Sequence, residues 1–230
     1  MSRLMPKWNL ITEINPKSPI SEGYRMLRTN IEFSTINQKL QVIMVTSSKP
    51  SEGKSTTCAN MAVAFAQANK RVLLIDADLR KPSQHLIFGK SNRFGLTTAL
   101  FNKDELLKVI QHTNTENLSI IHSGPIPPNP SELLSSDQMA DLLVSVREMY
   151  DVIIIDTPPI LSVTDAQIVA TQSDGVVLVV NSGKVKKEVL LKSKALLEHV
   201  KARLIGVVLN KINRNNSETY SYYYGERSEA

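Results

Sequence analysis

The 230-residue sequence predicts an α/β fold: a doubly wound, mainly parallel sheet with helices on both faces. Two patterns carry that prediction. Short β-branched runs recur at 41–46, 71–76, 118–122, 151–157, 175–181 and 204–210, apolar on both faces as the strands of a buried parallel sheet are. Helical patterns at 54–69, 103–112, 131–150, 163–172 and 185–201 lie between them. Ahead of the first strand, 18–34 reads as a helix docked on the domain or projecting from it. The length suits one large domain, since ~150 residues per domain is only a prior. The longest polar or proline-rich stretches, 124–131 and 212–218, are too short to separate two cores, and no repeat is visible. The predicted division is therefore a domain over 1–212 and a flexible, tyrosine-rich tail over 213–230.

The third observation is the junction of the first strand and its helix, Ser47-Ser48-Lys49-Pro50-Ser51-Glu52-Gly53-Lys54-Ser55-Thr56-Thr57. It reads as a phosphate cradle. Gly53 lets the backbone approach a phosphate oxygen, Lys54 supplies a point charge for the β and γ phosphates, and the Ser55 hydroxyl is placed to ligate Mg²⁺. The helix that follows adds free N–H groups and the positive end of its dipole. The pattern G-x-x-x-x-G-K-[ST] would put glycine at 48, where this chain has Ser48.

Ligands of such folds bind at the carboxyl ends of the strands, and the acidic signals fall there. Asp156 ends an apolar strand, the arrangement in which a carboxylate holds Mg²⁺ or its water shell; the plainer reading is a turn aspartate. Asp76 and Asp78 are two apart, so in extended chain they face the same side and can address one ion or one reacting hydroxyl. A phosphotransferase to a hydroxyl can use one carboxylate for the metal and one for the incoming proton. A solvated acidic turn paired with Arg80 and Lys81 is the alternative.

Composition excludes several classes. The net charge of +5 suits polyphosphate ligands or an anionic membrane face, but basic residues do not interleave with aromatics as nucleic-acid binding would want. Cys58 is the only cysteine, so no internal disulfide forms and a reducing compartment is the natural setting. His85, His112, His122 and His199 lack ligand-like spacing, which argues against zinc. The first residues carry no signal-peptide pattern, and no apolar run approaches the roughly 18–20 residues of a membrane-spanning helix. The chain is expected to be soluble. Four of the six tyrosines, Tyr220, Tyr222, Tyr223 and Tyr224, follow a polar segment with no pattern for packing, which suits phosphorylation sites better than core; a sticky docking tail is the alternative.

Together the loop, both aspartate motifs and the tyrosine tail resemble the bacterial tyrosine kinases (BY-kinases), closest to the cytoplasmic type of Gram-positive capsule synthesis. The resemblance covers nearly the whole chain. It includes Ser21-Glu22-Gly23-Tyr24-Arg25-Met26-Leu27-Arg28-Thr29-Asn30, Asp76-Ala77-Asp78-Leu79-Arg80-Lys81-Pro82 and Gly124-Pro125-Ile126-Pro127-Pro128-Asn129-Pro130-Ser131-Glu132-Leu133-Leu134. It implies a P-loop NTPase fold of the deviant Walker type, and the chain indeed lacks the H-R-D-x-x-x-x-N and D-F-G signatures of the eukaryotic kinase fold. On this resemblance Ser48, Lys49, Pro50, Ser51, Glu52, Gly53, Lys54, Ser55 and Thr56 form the phosphate loop, Asp76 and Asp78 the Walker A′ motif, and Asp156 the Walker B aspartate. Lys54, Asp76, Asp78 and Asp156 would be catalytic, ATP and Mg²⁺ the cofactors, with Ser55, Asp76, Asp78 and Asp156 about the metal. Asn210 resembles the position that contacts adenine, and the tail tyrosines would be autophosphorylated.

The spacing of Glu22, Arg25 and Arg28 by three groups them on one side of a helix, where a salt bridge of only ~0.2–0.5 kcal/mol is the default explanation. The resemblance implies that they instead join subunits of a ring homo-oligomer. It further implies transfer between ring neighbours, other protein-tyrosine substrates, a cognate phosphotyrosine phosphatase, and a transmembrane activator, the polysaccharide co-polymerase, that recruits a cytoplasmic kinase to the inner membrane face for capsular or exopolysaccharide export. The main rival is a partitioning or cell-division ATPase switch. Lys49 sits where those proteins carry a lysine that enters the partner's site, whereas Pro50 and Ser51 replace the usual glycines and the tyrosine tail would be unexplained. A nucleotide-dependent scaffold without transfer activity is a third class.

Overall fold

The computed structural model describes residues 10–34 and 40–212. Seven strands form one sheet in the order β3-β4-β2-β5-β1-β6-β7, with β1 Val42–Ser47, β2 Val72–Asp76, β3 Gln111–His112, β4 Leu118–Ile121, β5 Val152–Asp156, β6 Gly175–Asn181 and β7 Leu204–Asn210. All neighbours pair in parallel except β3 with β4. The chain leaves β1 toward β2 on one side and places β6 on the other, so the strand order reverses about β1 and opens a crevice at its carboxyl end.

Alternation along the strands feeds two cores. Val42, Met44, Leu73, Ile75, Ile153 and Ile155 face one of them, covered by α5 (Leu96–Phe101), α7 (Pro130–Leu134), α8 (Asp137–Met149), α9 (Asp165–Thr171) and α10 (Lys187–His199). Ile43, Val45, Leu74, Ile120 and Ile154 face the other, under α3 (Lys54–Ala66), with Leu10 and Ile31 of the N-terminal segment joining it. A sheet buried on both faces explains the unbroken apolar runs.

The structure redraws some elements. The helix expected over 103–112 is a single 3₁₀ turn at Lys103–Glu105 and one turn of α6 (Leu106–Val109), after which Gln111 and His112 pair antiparallel with β4. The pattern at 131–150 breaks at Ser135-Ser136, where the Ser136 hydroxyl caps α8 by accepting the Met139 N–H. β7 is not a buried strand: it lies on the sheet edge, leaving Val207 and Leu209 about half exposed. The short helices α1 (Ile11–Ile14) and α4 (Gln84–Ile87) were not legible, while α2 (Pro19–Phe33) matches the helix expected at 18–34 and packs on α3. Among the described residues no helix is long and apolar enough to cross a membrane.

Candidate nucleotide and metal site

The predicted loop does connect β1 to the N-terminus of α3. Gly53 caps α3 in the left-handed region (φ 96°), and a Cβ there would stand 2.0 Å from Asn210 Nδ2, so no other residue fits without displacement. Ser51 is also left-handed, at φ 65°. The serine that replaces glycine at 48 is accommodated by a partner, because its buried hydroxyl accepts from Ser193 Oγ of α10 at 2.8 Å. Glu52 turns inward and accepts the backbone N–H groups of Ser48 and Lys49 at 2.8 and 3.1 Å. The loop is thus braced from within. Asn210 braces it from outside: Nδ2 donates to the Glu52 carbonyl at 2.9 Å, and Lys211 Nζ donates to the Ser51 carbonyl at 2.8 Å. The residue expected to meet adenine therefore spends its amide on the loop while also lining the cleft.

The three aspartates converge. Asp76 and Asp156 are register partners at the ends of β2 and β5. Lys54 Nζ lies among them, 2.8 Å from Asp78 Oδ2, 3.4 Å from Asp156 Oδ1 and 3.1 Å from Ser55 Oγ. Burial works against this ammonium, but the charges of Asp156 and Asp78 outweigh it and hold its pKa above the ordinary lysine value. Burial and then the neighbouring Asp156 charge push the Asp76 carboxyl up to about 8, against hydrogen bonds and Lys54 that pull it down. Asp76 Oδ1 accepts from Asp78 N, and Oδ2 accepts from Ser83 N and Gln84 N. All three carboxylates are buried, which overturns the solvated acidic turn. Arg80 does not pair with that turn: it forms two hydrogen bonds, 2.8 and 2.9 Å, to buried Asp165 at the start of α9. Lys81 gives Asp78 only its backbone N–H.

Above this floor opens a cleft of about 760 Å³, lined by the loop, Asp78, Arg80, Lys81, Pro158, Pro159 and Lys211 among others. Among the described residues no three His, Cys, Asp or Glu side chains stand ready as a metal cage. Mg²⁺ does not require such a cage, since it keeps several waters and takes one or two carboxylates together with substrate phosphates. The chemistry of the donor set, a serine hydroxyl beside Asp78 and Asp156 with a cation already drawn in among them, fits such an ion.

Of the remaining candidates, Glu22 and Arg25 pair with each other at 2.6 Å, and Arg28 lies over α3, its guanidinium donating to the Ala64 carbonyl at 3.0 Å. Lys49 is exposed beside the cleft. Tyr220, Tyr222, Tyr223 and Tyr224 lie outside the described residues. Sequence reasoning missed Gln84, Asp165 and Ser193, which are fully buried polar residues in segments with no motif of their own. It also missed that His85 and His122 meet edge to face, with ring centroids 6.5 Å apart.

A glycine-capped phosphate loop at the switch point of a parallel sheet, with acidic strand ends around its lysine, defines a P-loop nucleotide-binding protein. The AAA domain family model AAA_31 matches residues 40–205. Tyrosine-protein kinase YwqD of Bacillus subtilis is 48% identical over 94% of this chain and 91% of its own length. The crystal structure of the chimerical protein CapA2B2 superposes with a TM-score of 0.86 at 46% identity, covering 89% of this chain and 90% of that one. The kinase domain of the Escherichia coli tyrosine kinase ETK gives 0.87 at 36% identity, over 97% and 89%. The chain belongs to the bacterial tyrosine-kinase family, and the enzyme class is protein-tyrosine kinase. The partitioning-ATPase reading yields to these relatives.

Proposed function

We propose that the chain transfers the γ-phosphoryl group of ATP to the tail tyrosines of a neighbouring copy in a ring, and through this cycle regulates capsular or exopolysaccharide synthesis and export beside a transmembrane activator. The observation that carries this reading is the Lys54 ammonium held by Asp78 and Asp156 on the floor of a cleft whose lining includes Asn210 and Lys211, close before the tail segment. Tyr220 lies ten positions after Asn210, an extended reach of roughly 35 Å. The names of the relatives support tyrosine as acceptor.

Phosphoryl transfer runs through a loose transition state, so positioning and charge neutralisation contribute more than a strong base. Mg²⁺ bound by Ser55 Oγ with Asp78 and Asp156 would neutralise charge on the phosphates. Lys54, released from its carboxylates, turns to the β and γ oxygens, and the backbone N–H groups at the start of α3 face the same region. An aspartate of the Asp76-Ala77-Asp78 motif orients the phenol and takes its proton late, since a tyrosine of pKa ~10 yields its proton only as the bond to phosphorus forms. Asn210 keeps the loop in shape behind the nucleotide. Glu22, Arg25 and Arg28 of α2 join ring neighbours, Arg28 from its place against α3. Each phosphotyrosine adds about −1.5 to −2 charges, so several on one tail repel each other and the acidic site and loosen the ring. A phosphotyrosine phosphatase then resets the cycle.

The test mixes two defective proteins: Lys54→Met with an intact tail, and a variant with Tyr220, Tyr222, Tyr223 and Tyr224 replaced by phenylalanine. With labelled ATP, Mg²⁺ and the activator's cytoplasmic peptide, label is expected on the Lys54→Met subunit. No label there, while the wild type labels itself, overturns transfer between subunits. Phosphate release with no phosphotyrosine in the wild type overturns the kinase reading.

A further inference from the structure

Gln84 is a fully buried amide that touches the metal-binding region three times. Its Nε2 donates to Asp156 Oδ2 at 2.8 Å and to the Ser55 carbonyl at 3.1 Å. Its backbone N–H donates to Asp76 Oδ2 at 3.0 Å. The phosphate loop and the ends of β2 and β5 are thereby joined through one residue of α4.

We propose that Gln84 is a positioning residue for the metal site, fixing the Asp156 carboxylate so that Oδ2 is tied back and Oδ1 is left toward the cation. The inference rests on the reading of Asp156 as a metal ligand. A carboxylate free to rotate presents either oxygen at varying angles; one held by a donated hydrogen bond presents a single lone-pair direction, and such outer partners tune a metal's affinity. The observed Lys54 contact is to Oδ1, the oxygen Gln84 leaves free. A packing role does not account for the amide. Gln84 Oε1 is buried and has no donor among the described residues, a desolvation cost that an apolar side chain of the same length would avoid. The amide orientation follows from its partners, because both groups at Nε2 are acceptors and the flipped amide would set oxygen against oxygen.

The experiment titrates Mn²⁺ into the ADP-bound protein and follows the free-ion signal by electron paramagnetic resonance, comparing wild type with Gln84→Met, Gln84→Glu and Asp156→Asn. ADP affinity in EDTA and the melting temperature are measured alongside. Gln84→Met removes the donor at nearly constant volume; Gln84→Glu keeps the shape but is an acceptor when ionised, and serves if the first variant folds poorly. The expected result is Mn²⁺ binding weakened by about 10-fold to 100-fold in both Gln84 variants, with ADP affinity in EDTA unchanged. Wild-type Mn²⁺ affinity in the Gln84 variants together with a loss in Asp156→Asn overturns the positioning role alone. Wild-type affinity in Asp156→Asn as well overturns the metal reading on which it rests. A loss of ADP affinity in EDTA equal to the Mn²⁺ loss assigns Gln84 to the loop's architecture and also overturns the proposal.

Discussion

Replacing Lys54 with methionine tests the electrostatics of the site without any substrate. The ammonium sits 2.8 Å from Asp78 and 3.4 Å from Asp156, with only 11% of its side chain exposed. At an effective dielectric of ~20 these distances correspond to gross attractions of ~6 and ~5 kcal/mol, most of which offsets the desolvation of the three groups. Removing the cation keeps the desolvation and loses the attraction, and breaking a buried pair in this way costs about 3–5 kcal/mol. For a domain of this size that is a fall in melting temperature of about 10 °C. The measurement is thermal unfolding of apo Lys54→Met at pH 8 in EDTA, repeated with Mg²⁺. Mg²⁺ is expected to recover part of the loss, because a divalent cation takes the place of the missing charge among the same carboxylates. Phosphotyrosine formation is expected to vanish. A melting temperature within about 2 °C of wild type in EDTA refutes the claim that Lys54 neutralises buried carboxylates, and unchanged phosphotyrosine formation refutes its catalytic role.

Two further outcomes follow from the geometry. Burial, with smaller contributions from His85 and Lys90, lowers the His122 pKa to about 4 from its ordinary 6.5. The unfolded chain therefore binds a proton between those values that the folded chain refuses, so stability is full above pH 6.5 and falls as pH drops toward 4; urea unfolding should lose about 2 kcal/mol between pH 7 and pH 5 that His122→Leu does not lose. Equal pH slopes in the two proteins would contradict a neutral, buried imidazole. Gly53→Ala forces a Cβ into Asn210 Nδ2 at a left-handed position, which should cost about 1–3 kcal/mol of stability and weaken ADP binding at least tenfold. Calorimetric titration that finds wild-type ADP affinity would show that the Asn210 brace is dispensable.

The sequence by itself determined the order of the six parallel strands and of the long helices between them, because burial on both faces of a parallel sheet leaves apolar runs too regular to misread at β1, β2, β5 and β6. It also located the glycine-lysine loop between β1 and α3 and the acidic strand ends, since Gly53, Lys54, Asp76, Asp78 and Asp156 are residue types that few other jobs require in that pattern. Edges and short turns were less legible. β3 has two residues and leaves no periodic signal, while β7 was legible as a strand over 204–210 but not as a half-exposed edge, because that depends on what pairs beside it. Only the tertiary structure decided how the site is held. Gln84 reaching Asp156, Ser193 supporting Ser48, Arg80 turning from the acidic turn to Asp165, and Asn210 bracing the Glu52 carbonyl behind Gly53 are contacts between residues 72 to 158 positions apart. A hydrogen bond at 2.8 Å depends on where two elements are packed against a common core, and that placement is a property of the whole fold, not of any stretch that contributes to it.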